Sequence, residues 1–113
     1  MVPKETVWFW DGHPWFQIST VNSDGKVLCV NLTSMDAECP DDECILTPSD
    51  YSWIAQNHPT VVAFARAKLI DAAKLFAAFE TGKLPPSRPP TMPASTLAKV
   101  IGAAKRSRYF SER

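Results

Sequence analysis

Glycine is scarce in this chain: 113 residues hold only four. There is no glycine-rich phosphate loop, so nucleotide-binding folds built on one are excluded. Neither a His-Glu-x-x-His stretch nor a Gly-x-Ser-x-Gly elbow occurs, which removes the common zinc-protease and α/β-hydrolase designs. Histidine is scarcer still, with His13 and His58 alone. No apolar run approaches the ~18 residues that span a membrane. The N-terminus has no basic segment leading through an apolar run to a cleavage site. The three cysteines, Cys29, Cys39 and Cys44, are odd in number. The expected setting is therefore a reducing cytoplasm with free thiols, and no membrane partner.

What is present fits one globular domain over residues 1–113. Hydrophobic residues make up 45% of the chain, enough for one core and too many for disorder. Four Trp, six Phe and two Tyr are a heavy aromatic load, and ten prolines point to rigid loops. The net charge of zero hides a split. Residues 1–60 carry −7 and residues 61–113 carry +7. Such asymmetry suits a polyanion or a charged protein partner, or two halves that neutralise each other in one fold.

The first part reads as strands, giving a small β-barrel over 6–65. Thr6 to Trp10 is a β-branched and aromatic run stopped by Asp11-Gly12. Trp15 to Val21 and Lys26 to Thr33 form a hairpin across the turn residues Asn22 to Gly25. In the latter run Val27, Cys29 and Asn31 alternate with Leu28, Val30 and Leu32, one set per face. Cys44 to Thr47 is a short strand, Pro48-Ser49-Asp50 starts a turn, and Thr60 to Ala65 is another strand. The pattern then changes period. A helix is expected over 67–81, with Leu69, Ala72, Ala73, Phe76 and Phe79 or Glu80 on one face and Gly82 as its stop. Five prolines between 83 and 93 predict an extended strap without regular structure. A second helix over 94–106, capped by Ser95 or Thr96, carries Leu97, Val100, Ile101 and Ala104 on one face and leads into a basic tail. Strands followed by helices indicate a mainly β domain with C-terminal helices.

Few residues carry chemistry. Both histidines precede proline, which holds the backbone extended at the entrance to a strand. Imidazole is the side chain that exchanges a proton nearest neutrality, which suits RNA cleavage. The plainer reading is a loop histidine making one hydrogen bond. Cys39, Cys44 and His58 form at most part of a zinc site, or else ordinary residues of an acidic loop. In the tail, Lys105, Arg106 and Arg108 with Tyr109 and Phe110 suit phosphates and stacked bases. They equally suit a helix C-terminus whose cations complement the dipole.

The segment Val7-Trp8-Phe9-Trp10-Asp11, then His13-Pro14-Trp15-Phe16-Gln17-Ile18-Ser19, then Gly25 to Ser34, resembles the N-terminal half of the MazF/PemK/Kid-like toxin family. The resemblance covers residues 6–34, and the later chain fits in outline. It implies a small SH3-like antiparallel β-barrel plus two helices, a homodimer, and metal-independent cleavage of single-stranded RNA restrained by an antitoxin protein. No cofactor is implied. The family's catalytic positions are an Arg before Pro and the first Thr of a strand ending. They fall here on His13 and Thr33. Arg is thus replaced by His13, the Pro two residues before the Thr by Asn31, and the first loop is reduced to Asp11-Gly12. An arginine clamps phosphate with a fixed charge, whereas His13 would move a proton instead, with Thr33 hydrogen-bonding the phosphate. Arg66, at the end of an expected strand, and the tail bases would hold the backbone. The alternative is a non-catalytic SH3-like interaction module, with Trp8, Trp10, Trp15 and Trp53 exposed as its binding surface.

Overall fold

The computed structural model describes residues 3–35, 41–54 and 59–110. They form a mainly β fold, a curled antiparallel half-barrel sheet with two helices.

Strand β1 (Thr6–Trp10) turns tightly into β2 (His13–Gln17). Asp11 and Gly12 both take positive φ, at 54° and 81°. This handedness matches the twist of the flanking strands, and Asp-Gly adopts it readily. Strand β2 ends earlier than Val21 because the Ser19 hydroxyl captures the Leu28 amide at 2.8 Å, and the chain peels away into the turn. There the Asn22 side chain accepts from the amides of Asp24 and Lys26, both at 2.9 Å.

Strand β3 (Lys26–Ser34) is the spine. One edge pairs with β2. The other pairs first with β6 (Lys68–Asp71), through Lys26 to Cys29, and then with β5 (Thr60–Val62), through Leu32 to Ser34. The two-residue β4 (Ile45–Leu46) adds to β5. Both faces of β3 are buried because a helix packs over each. Val30 and Leu32 pack with Val7, Phe16 and the second helix. Val27 and Cys29 pack with Trp8, Trp15 and the first helix.

Beyond β5 the structure departs from the sequence expectation. The strand expected over Thr60 to Ala65 stops at Val62, and Phe64–Arg66 forms a 3₁₀ turn, so Arg66 does not end a strand. The helix expected over 67–81 is a strand followed by a shorter helix, α1 (Ala72–Glu80). The Asp71 carboxylate accepts the Lys74 amide at 3.0 Å and caps the helix there, leaving Lys68–Asp71 to ladder onto β3. The inward face is also different. Leu75 and Phe79 pack inward, with Phe79 edge-on to Trp8, whereas Leu69 and Phe76 are 59% and 39% exposed. Gly82 does stop the helix. At φ 74° it lets the Lys83 amide reach the Ala78 carbonyl.

The proline-rich strap is likewise regular over Pro86–Thr91, forming β7 beside β1. Proline cannot donate to a ladder but can accept from one. On an outer strand that suffices: the Phe9 amide donates to Pro85 O at 2.9 Å, and Met92 N donates back to Glu5 O at 2.8 Å. Helix α2 spans Ala94–Arg106 as expected, but its first turn is carried by Pro93, whose carbonyl accepts the Leu97 amide. Thr96 does not cap it. Its hydroxyl instead donates to the Asp50 carbonyl at 2.7 Å. Leu97, Val100 and Ala103 bury the inner face, with Ile101 and Ala104 beside them.

The opposite charges of the two halves meet in this packing. Lys99 pairs with Asp50 at 3.1 Å, and Glu43 accepts from Ser107 and from the Arg108 amide. Burial alone would raise the Glu43 pKa, but those hydrogen bonds and the Arg108 charge outweigh it and hold the carboxyl below its usual range.

Candidate functional site

A cleft of about 420 Å³ opens where β2, β3 and β6 converge, lined by Asp11, His13, Trp15, Asn31, Arg66 and Lys68. Each residue arrives by a local rule. Asp11 sits in the tight β1–β2 turn. His13 and Trp15, two apart in β2, share one face. Asn31 lies opposite Trp15 in β3. Arg66 comes from the 3₁₀ turn, and Lys68, the first residue of β6, stands opposite Cys29. The lining holds two fixed cations, one carboxylate and one imidazole.

His13 Nδ1 lies 3.1 Å from the Leu32 carbonyl. A carbonyl only accepts, so Nδ1 carries the proton, and in the neutral ring Nε2 is the basic nitrogen. Lys68 Nζ stands over two indoles, 5.0 Å from the Trp10 centroid and 5.9 Å from that of Trp15. The rings meet edge to face at 5.6 Å, and Trp15 Nε1 donates to Trp10 O at 3.0 Å. Asn31 is only 3% exposed, and its Oδ1 has no hydrogen-bond partner.

Of the residues expected to act, His13 and Arg66 share this cleft. Thr33 is buried in β3 opposite Val61, one residue beyond the carbonyl that holds His13, and is not among the lining residues. Lys105, Arg106 and Arg108 lie elsewhere. Lys105 borders a separate groove with Ile18, Leu28 and Phe110, and the Arg108 guanidinium lies against Tyr109. The tail follows α2, which covers the Val30 and Leu32 face, opposite the face that carries Asn31.

The helical spacing of the sequence hides Lys68, although Asp71, as the helix cap, frees residues 68–71 to pair with β3. Asn31 left a clearer signal, a lone amide at an inward position of an apolar strand. Trp8 and Trp15 are core residues rather than surface ones, while Trp10 and Trp53 are 44% and 38% exposed. Burial pushes the Cys29 thiol up to about 12, and burial also raises Cys44 despite the nearby Lys99 charge. Neither is a ready nucleophile. Cys39 and His58, on which the zinc reading rests, lie outside the described residues. Among those described, no group of three or more His, Cys, Asp or Glu is placed to hold a metal, and no helix is long and apolar enough to cross a membrane.

Comparison of the chain with protein-family models, curated proteins and solved structures finds no match.

Proposed function

We propose that the cleft binds single-stranded RNA and cleaves it as a toxin-like endoribonuclease. The observation that carries this reading is the grouping of a tautomer-fixed His13 with Arg66 and Lys68 in one cleft. His13 Nε2 takes the proton from a ribose 2′-hydroxyl. That oxygen bonds to the adjacent phosphorus as the bond to the 5′-oxygen breaks. The departing oxygen recovers a proton from the imidazolium, and the products are a 2′,3′-cyclic phosphate and a 5′-hydroxyl. Arg66 and Lys68 balance the charge that gathers on the phosphate. Asn31 rather than Thr33 lines the cleft, so the hydrogen bond to the phosphate is donated by its side-chain NH2. Thr33 supports the strand end that fixes His13.

In this reading the protein works in the cytoplasm as a homodimer and is held in check by an antitoxin protein. A second reading, a non-catalytic interaction module, is favoured by one observation: Trp10, Trp53, Leu69 and Phe76 are exposed large apolar side chains.

Incubation of the purified chain with single-stranded RNA in EDTA tests the proposal. Cleavage is expected, and His13→Ala should lower its rate ~100- to 10,000-fold, the usual value of a positioned acid–base group. Undiminished cleavage by His13→Ala overturns the mechanism. No cleavage of any RNA favours the interaction module.

A further inference from the structure

Beside the cleft, a second cavity of about 260 Å³ lies between the sheet and α1. It is smaller than the ~300–1,000 Å³ of pockets for drug-sized ligands, so it admits one ring system rather than several. Trp8, Trp10, Trp15 and Leu75 supply apolar walls. Lys68 and Lys74 stand among the lining residues, and no acid does. Trp15 and Lys68 line both this cavity and the His13 cleft. Lys68 is therefore a shared lip, its ammonium held over the indoles of Trp10 and Trp15. The edge-to-face contact between those indoles braces the exposed Trp10 against the buried Trp15.

Flat aromatic walls select a flat ring. Two cations without an acid select a ligand that carries negative charge. The adjoining polar cleft adds Arg66, His13 and Asn31 for a phosphate, with the Asp11 carboxylate at its rim. A nucleotide combines these features in one molecule, with its base and phosphate spaced by one sugar. We propose that the tryptophan-walled pocket is a nucleobase subsite, holding the base next to the phosphate in the cleft, with Lys68 bridging the two. The inference rests on reading the cleft as a phosphate site, and it makes Trp10 a determinant of which nucleotide is preferred. Trp10 is the residue to probe, because half of it is already open to solvent and its loss leaves Trp8 and Trp15 in the core.

The test is a calorimetric titration of the full chain with the four nucleoside 3′-monophosphates and with ribose 5-phosphate. Wild type, Trp10→Leu, Lys68→Met and Trp53→Leu are compared, with folding checked by circular dichroism. Trp53 is an exposed indole outside both cavities and serves as the control. Nucleotides should bind more tightly than ribose 5-phosphate. Trp10→Leu should weaken them by about 5- to 150-fold, the range for loss of one stacked base, and Trp53→Leu should not. Lys68→Met should weaken nucleotides and ribose 5-phosphate together. Equal affinity for nucleotides and ribose 5-phosphate overturns the inference, as does equal weakening by Trp10→Leu and Trp53→Leu. So does binding of an acidic, aromatic peptide where no nucleotide binds. Parallel RNA digests separate this inference from the nuclease reading. Cleavage with unchanged base preference in Trp10→Leu sinks the subsite and leaves the nuclease. Nucleotide binding that needs Trp10, without RNA cleavage, supports the subsite and removes the nuclease.

Discussion

Asn31→Val should make the protein more stable and less active at once. Asn31 is almost fully buried in the middle of β3, and its side-chain oxygen has no partner. A buried acceptor left without a hydrogen bond costs about 1–3 kcal/mol. Valine removes that cost, suits a strand position by its β-branch, and leaves the backbone bond from Ala63 N to Asn31 O at 2.9 Å untouched. The flanking same-face residue Cys29 and the opposed Trp15 give its methyl groups apolar neighbours. Some of the gain is lost because the bulkier, Cβ-branched valine does not match the shape of the planar amide, so the net expectation is a stabilisation of about 1–2 kcal/mol. For a domain near this size each kcal/mol moves the melting temperature by roughly 4 °C. The measurement is urea unfolding with an unchanged slope, paired with RNA cleavage at a fixed enzyme concentration. A higher midpoint with lost cleavage is the expected pair, since a polar residue kept at a cost in stability is one kept for the cleft. A lower midpoint would show that the amide is satisfied in solution, and retained cleavage would show that it does not act on substrate. Either result refutes the reasoning.

Three other outcomes follow from the geometry. The Asp50 carboxyl would be raised by burial, but the Thr47 amide and Lys99 outweigh this and hold it below its ordinary range. A depressed folded-state pKa means the unfolded chain binds the extra proton first. Its stability contribution is therefore complete above about pH 4 and lost as pH falls further. Melting curves of wild type and Asp50→Asn should differ at pH 7 and converge below pH ~4, and a gap that widens in acid contradicts the assignment. With its thiol pushed up to about 12, Cys29 should resist alkylation at pH 8 until denaturant is added, and rapid labelling of the native chain would count against its burial. Two glycine-to-alanine changes should have opposite signs. Gly12→Ala has free space but φ +81° and should cost about 1 kcal/mol. Gly102→Ala, inside α2 with only the Arg106 guanidinium at 3.7 Å, should gain about 0.5–1 kcal/mol in thermal unfolding.

The strands from Thr6 to Ser34 were legible because their signals are local: alternation, a two-residue Asp-Gly turn and an Asn-to-Gly turn. Helix α2 was legible to its boundaries for the same reason. Lys68–Asp71 was not, because the reason it is a strand lies some forty residues away, in the edge left open by Lys26 to Cys29. The prolines of β7 misled in a related way. Their missing amides forbid a strand inside a sheet and permit one outside β1, and sequence does not say which strand is outermost. His13 and Arg66 stood out singly, by type and position. Their meeting depends on the chain returning through β5 and the 3₁₀ turn, a tertiary fact.

The three outer margins of the sheet are β7, β6 and β4. The first contains three prolines, the second is four residues long between Lys68 and Asp71, and the third is two residues long. None presents a long uninterrupted row of amides and carbonyls to which a foreign strand could anneal. Among the described residues, then, the short, proline-bearing edges disfavour growth by strand addition, and any second copy that meets them finds little backbone to extend.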